Sequence, residues 1–174
     1  MGEPIGAEEL YRAHAPYVAA FLGRMGARRE DMQDAVQEVF LVAHQRGGFV
    51  PGAARPTTWL CEIALRVWWS ARRRDSRRSA EIASADAGVD ALSDVPGADD
   101  QLEAASAAQR VQRCLEGLDE EHRAVLVLFE LQDESTDDIA SILGIPLGTV
   151  HSRLHHARKK FRARWERSHG RGAP

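Results

Sequence analysis

Apolar residues recur at helical intervals along most of the chain. Leu10, Ala13, Tyr17 and Phe21 form one such set, and Val36, Val39, Phe40 and Ala43 a second. A third follows with Leu60, Ile63, Ala64 and Val67 at i, i+3, i+4 and i+7, which predicts a helix over 57–74. Between the second and third sets, Gly47, Gly48, Pro51, Gly52 and Pro56 mark a loop. From 80 to 103 the period stops; this stretch is rich in Ala, Ser, Gly and Asp and lacks aromatic residues, the composition of a flexible or extended linker. The pattern resumes with Val111, Leu115 and Leu118, then Val125, Leu128 and Phe129, followed by shorter helices over 136–143 and 147–166. No segment alternates with period two, so no sheet is expected. The expectation is an all-α protein of two small helical domains, 1–79 and 104–174, joined by an acidic linker, 80–103.

The densest local signal runs from Ser135 to Arg162. Ser135 or Thr136 can cap a helix whose first turn holds Asp137 and Asp138, where the helix dipole favours acids. Ile139, Ala140 and Leu143 give its buried stripe, and Ala140 is small where a second helix must cross closely. Gly144 allows a sharp turn, Pro146 suits the start of the next helix, and Val150 and Leu154 anchor that helix inward. This is helix-turn-helix spacing, in which the second helix enters the DNA major groove. Its Leu147, Thr149, His151, Ser152 and His155 would face base edges. Arg153, Arg158, Lys159, Lys160 and Arg162 are better placed for phosphates. The plainer alternative is a short helical hairpin with a solvated basic tail.

Charge sharpens this picture. The formal net charge of −3 hides a segregation of sign. Residues 55–80 carry seven Lys or Arg against two acids, and 144–174 carry eight against one. Between them, 81–103 holds seven acids and no basic residue. Each basic block is a candidate nucleic-acid contact. With 44% hydrophobic and 28% charged residues the composition is that of a soluble globular protein, without an apolar run long enough to span a membrane. The acidic start MGEPIGAEEL lacks the features of a signal peptide, so a cytoplasmic location is expected. Cys61 and Cys114 are lone and read as small buried hydrophobes.

On the predicted helix 57–74, Glu62, Arg66, Trp69 and Arg73 follow one another away from the apolar stripe. An outward Trp flanked by Arg suits an unpaired base, because base–aromatic stacking contributes about 1–3 kcal/mol and Arg holds the backbone. Packing of Trp68 and Trp69 on neighbouring helices is the other reading. One domain is thus suited to duplex DNA and the other to single strands.

That combination resembles the sigma-70 superfamily of RNA polymerase sigma factors, in its extracytoplasmic-function (ECF, group IV) branch, over about residues 8–168. Asp34–Ala35–Val36–Gln37–Glu38–Val39–Phe40 is similar to the family segment that docks on the polymerase clamp helices. The resemblance implies polymerase contacts at Asp34, Gln37, Glu38 and Leu41; taken alone, they are the solvated face of an amphipathic helix. The loop Gly47–Pro56 and the helix after Thr58 resemble the element that melts and reads the −10 segment, with Thr58–Trp59–Leu60 and Ile63–Ala64 as matching pairs. This implies −10 contacts at Arg66, Trp69, Arg73 and Arg74. Ile145–Pro146–Leu147–Gly148–Thr149–Val150, with Ser152–Arg153–Leu154 and Ala157–Arg158, resembles the −35 reading helix. It implies −35 contacts at Leu147, Thr149, His151, Ser152, Arg153, His155, Arg158 and Lys159. Leu65, Arg66, Ser70, His44 and His151 depart from the family's usual residues, mostly where bases are read.

The resemblance further implies core RNA polymerase as partner, through its β′ clamp helices and β flap, together with promoter DNA and an anti-sigma factor. No paired carboxylates, phosphate-cradling glycine loop or nucleophile–base grouping suggests an enzyme, and neither a metal site nor a cofactor is expected. The acidic linker either lies in a basic polymerase channel by resembling RNA charge or is a solvated tether. The competing function is a dimeric helix-turn-helix regulator that does not join polymerase, and a third class is an enzyme acting on nucleic acid.

Overall fold

The computed structural model describes residues 3–52, 54–85 and 107–169. Among them are α1 (Ala7–Met25), α2 (Met32–Gln45), α3 (Pro56–Ala85), α4 (Ala107–Glu116), α5 (Glu120–Leu131), α6 (Thr136–Leu143) and α7 (Leu147–His169). The only pairing of extended backbone among these residues is an isolated bridge between Ile5 and Phe49. None of the described helices is long and apolar enough to cross a membrane.

Helices α1–α3 form the first bundle. Leu10, Val18, Phe21, Leu22 and Met25 of α1 meet Val36, Val39, Phe40 and Ala43 of α2 and Leu60, Ile63, Ala64, Leu65 and Val67 of α3. Ala13, which the periodicity placed on the stripe, is exposed, and Val18 and Leu22 fill the core instead. Ile5 and Phe49 exchange both backbone hydrogen bonds (2.8 and 3.0 Å), which ties the loop after α2 to the chain start. Phe49 is buried against Trp59, ring centroids 5.7 Å apart, so the loop enters α3 from a fixed point. Helix α3 continues to Ala85, eleven residues past the predicted end and into the stretch that composition assigned to the linker. Its run of Arg, Ala and Ser after Ser70 has good or neutral helix propensity and no Gly or Pro to stop it. The two readings of the acidic linker otherwise fall on 86–106, outside the described residues.

Helices α4–α7 form the second bundle around Leu115, Leu118, Val125, Leu128, Ile139, Val150, Leu154 and Ala157. Ser135 is the N-cap of α6: its Oγ accepts from the Asp138 N–H (3.1 Å) and donates to the Asp138 carboxylate (2.6 Å). Gly144 ends α6 in the left-handed conformation (φ 64°), and α7 begins three residues on. Pro146 lies one residue before α7, where its carbonyl accepts from Thr149 (2.8 Å) and Val150 (3.2 Å).

The two bundles also pack on each other. Helix α1 lies against α4 and α5, and α3 lies against α6. Arg123 of α5 is buried and donates to three carbonyls: Met25 at the end of α1 (2.8 Å), Glu116 at the end of α4 (2.7 Å) and Leu118 (3.0 Å). A cation at two helix C-termini meets the negative end of both dipoles. Gln112 donates to the Gly23 carbonyl (2.9 Å), and Arg72 pairs with Glu120 (3.1 Å).

Candidate nucleic-acid interface

Helix α2 buries one face and bares the other. Asp34, Gln37, Glu38 and Leu41, at i, i+3, i+4 and i+7, all lie on the exposed side. Leu41 is 49% exposed, which leaves an isobutyl group in water amid polar neighbours. Tyr11 of α1, 47% exposed, leans edge-on against Phe40 with ring centroids 5.0 Å apart. It adds a second exposed apolar side chain beside α2 that the sequence pattern did not single out.

A groove of about 220 Å³ between α2 and α3 is lined by Glu38, Val42, Arg46, Arg66, Ser70 and Arg74, among others. Glu62 holds two of the arginines, Arg66 at 3.0 Å and Arg46 at 3.5 Å. Arg66 and Arg74 therefore share one groove, while Trp69 and the exposed Arg73 stand outside its lining. The tryptophans separate cleanly. Trp68 is buried, with the Arg72 guanidinium 5.9 Å from its ring centre. Trp69 packs partly on the core and keeps part of its ring in water. Neither reading of Trp69 is complete alone: its inner edge is core and its outer part is surface.

On α7 the inward anchors are Val150, Leu154 and Ala157. Leu147, His151, Ser152, His155, Lys159 and Arg162 are exposed, and Thr149 is half-buried. Ser152 donates its hydroxyl to the Thr149 carbonyl (3.1 Å), so both sit on the first two turns with that group engaged. Several cations of α7 are met by acids of α5 and its N-cap. Arg153 turns to Glu121 (2.6 Å) and keeps only 23% of its side chain exposed. Arg158 pairs with Glu130 (2.7 Å) and lies 4.9 Å from the centre of the Phe129 ring; Lys160 pairs with Asp119 (2.8 Å). Of the cations assigned to phosphates, Lys159 and Arg162 stand on the exposed face, whereas Arg153 is drawn against α5.

Asp119 caps α5, its Oδ1 accepting from the His122 N–H (3.1 Å). Partial burial pulls its pKa up, but hydrogen bonds from Lys160 and His122 outweigh that and hold the carboxyl well below the usual carboxylate range. In the first bundle, burial pushes the Cys61 thiol up to about 12, although the nearby Tyr17 hydroxyl (3.5 Å) pulls the other way. Cys114 is buried and raised for the same reason. Among the described residues no three His, Cys, Asp or Glu side chains converge as metal ligands would.

Comparison with known proteins follows the same division. Residues 10–78 match the model for sigma-70 region 2 and residues 108–161 that for sigma-70 region 4. The chain is 31% identical over 160 residues to the ECF RNA polymerase sigma factor SigE of Mycolicibacterium smegmatis, covering 89% of this chain and 60% of that protein. It is 33% identical over 154 residues to the ECF RNA polymerase sigma factor SigL of Mycobacterium tuberculosis, covering 88% and 85%. It is 28% identical to the RNA polymerase sigma factor YlaC of Bacillus subtilis, covering 92% of each. In fold, it is similar to the sigma factor RpoE of Bartonella quintana, solved in complex with the anti-sigma factor NepR (TM-score 0.72, 19% identity, 91% and 96% covered). It is also similar to CnrH in complex with the cytosolic domain of CnrY (TM-score 0.61, 24% identity, 90% and 85% covered). Two helical bundles matched by the two sigma regions in order, with close likeness to named ECF factors, place this chain in the ECF group of the sigma-70 family.

Proposed function

We propose that the chain binds core RNA polymerase and directs it to promoters, its first bundle taking the opened −10 strand and its second reading −35 duplex. The observation that carries this is the sorting of faces within one chain. The exposed side of α2 is acidic and apolar, α3 bears a row of arginines, and α7 presents polar side chains ahead of a basic run.

Asp34, Gln37, Glu38 and Leu41, with Tyr11 beside them, would seat on the β′ clamp helices. A polar rim around exposed apolar groups is what such an interface uses. Arg66, Arg73 and Arg74 would hold the sugar-phosphate chain while the outer part of Trp69 stacks on a displaced base. A base leaving the helix regains part of its lost stacking in this way. Leu147, Thr149, His151, Ser152 and His155 would meet base edges in the −35 major groove. Lys159 would reach phosphates directly, and Arg153 and Arg158 after giving up their partners on α5. The second bundle would meet the β flap.

The chain supplies binding and position only; no bond is made or broken by its residues. Each bundle alone grips DNA weakly, and attachment of both to one enzyme raises the effective concentration of the second contact. An anti-sigma factor that covers the polymerase-binding surfaces in the cytoplasm is part of this reading; the RpoE structure of similar fold was solved with the anti-sigma factor NepR.

The test is transcription with purified core polymerase on a promoter-bearing template. Initiation that requires both core and this chain is the expected result. A stable homodimer that binds a palindromic duplex and ignores core would overturn it.

A further inference from the structure

Helices α4 and α7 enclose a groove of about 270 Å³ whose charged side chains are all arginines. Arg110 and Arg113 enter it from α4, Arg164 and Arg167 from the last turns of α7, and Cys114 and Ser168 complete the lining. No acid lines it. Arg164 and Arg167 follow the exposed Arg162 by two and five positions, about 160° and 140° around the helix at 3.6 residues per turn. The groove therefore lies within the second bundle, on the side of α7 turned away from His151, His155 and Arg162.

The surrounding contacts leave these cations to face one another. Elsewhere on α7, Arg153, Arg158 and Lys160 each meet an acid. Arg113 and Arg164 have no acid within ion-pair reach among the described residues. Arg167 gives its Nε to the Ala163 carbonyl (3.1 Å), and Ser168 gives its hydroxyl to that of Trp165 (2.7 Å). Glu116, at the end of α4, accepts from Gln112 (3.0 Å), and Glu166 faces the other side of α7 beside Arg162. Gly117 makes room for the head of Arg164, since a β-carbon there would strike its Cζ and Nη1. Burial pushes the Cys114 thiol up, and the fields of Arg164 and Arg113 oppose that shift, so both guanidinium groups bear on the groove floor.

We propose that this groove binds a compact, multiply charged phosphate anion, either inorganic pyrophosphate or the diphosphate end of a nucleotide. Like charges held around one cavity repel, and an anion between them removes that cost. Guanidinium forks match phosphate oxygens in pairs, so four of them suit adjacent phosphates better than a single carboxylate. The volume falls short of the roughly 300–1,000 Å³ of a site that encloses a drug-sized ligand, which favours phosphates inside and any remainder outside. Bound there, the anion would bridge α4 to the end of α7 and leave the opposite face of α7 bare.

Calorimetric titration of the full chain tests this, with inorganic pyrophosphate and, separately, adenosine and guanosine diphosphates at low ionic strength. One saturable site is expected. Arg113→Ala and Arg164→Ala should each weaken it about tenfold or more, the loss of one charge-assisted contact. Arg29→Ala removes an exposed cation between α1 and α2 and should leave affinity within about twofold. Gly117→Ala keeps every charge and displaces only the Arg164 head, so it should weaken binding too, and it decides the matter if Arg164→Ala misfolds. Equal affinity for pyrophosphate and both diphosphates assigns the site to the phosphates alone, and tighter nucleotide binding assigns it to a nucleotide. The proposal is overturned by absence of saturable binding, or by equal losses in Arg29→Ala and the groove variants. Binding of a single-stranded oligonucleotide without binding of pyrophosphate overturns it as well.

Discussion

A β-carbon at Gly26 would stand 2.6 Å from the Arg123 Nη1. Gly26 closes α1 in the left-handed region (φ 94°), and its bareness admits the guanidinium that ties α1 to the ends of α4 and α5. Gly26→Ala should therefore lose on two counts. The positive φ alone costs about 1–2 kcal/mol for an L-residue, and displacing Arg123 leaves helix-end carbonyls short of a donor. Thermal unfolding should show a fall in Tm well beyond that of Gly6→Ala, a position where an added β-carbon meets nothing.

Cys61 should be chemically silent in the folded chain. With its thiol pushed up to about 12, only about one part in 10⁴ is thiolate at pH 8. Labelling by a thiol disulfide reagent should proceed at the unfolding rate, rising sharply in denaturant. The linkage has a sign as well. A raised thiol pKa leaves folded stability intact below the unfolded value near 9 and erodes it as pH climbs toward 12. Cys61→Ala should narrow that alkaline loss in a urea titration, while lowering stability at neutral pH through the cavity it leaves.

Asp119 works at the other end of the scale. Its carboxyl is depressed in the fold, so its contribution is present above the unfolded carboxylate pKa of about 3.9 and disappears as pH falls through the lower folded value. Asp119→Asn should lower the urea midpoint at pH 6, and the gap from the parent should close as the solution is acidified below about pH 4.

On α7, Lys159 and His151 should behave differently. Lys159→Ala is expected to weaken holoenzyme binding evenly across promoters and to reduce the salt slope by about one. His151→Ala should instead change the preference among −35 sequences, seen by comparing promoter variants at one salt concentration. A uniform loss for His151→Ala would take it off the list of base readers.

Leu41→Glu, on the bare side of α2, should cut association with core polymerase at least tenfold while leaving the melting curve of the chain nearly unchanged. Leu41 is half exposed, so little packing is lost in the free protein. Loss of fold with loss of binding would remove Leu41 from the docking face.

Local pattern carried most of this architecture. The i, i+3, i+4, i+7 spacing found α2 and its bare face, and Ser135, Gly144 and Val150 located the helix-turn-helix, because caps and stripes act over a few residues. Helix α3 runs eleven residues past its predicted end because helix propensity prevails there over a linker-like composition. Arg153 read as a phosphate contact from its place on α7; its partner Glu121 lies 32 residues earlier and no period announces it. The pair of Arg55 and Glu134, 3.0 Å apart across the two bundles, is hidden from the sequence for the same reason. They meet only because two bundles fold against each other, which depends on contacts remote in sequence. Trp69 was ambiguous by nature, since a residue at the border of a stripe belongs to both sides.

The acids that α5 and its N-cap set against Arg153, Arg158 and Lys160 bear on how a DNA-binding chain would find its target. Cations neutralised in advance release fewer counterions and exert a weaker long-range pull, so the lone chain would be steered poorly by DNA and would slide along it little. On the proposed function, genome search would then fall to the assembled enzyme, and an unescorted copy would pass over the chromosome without lingering.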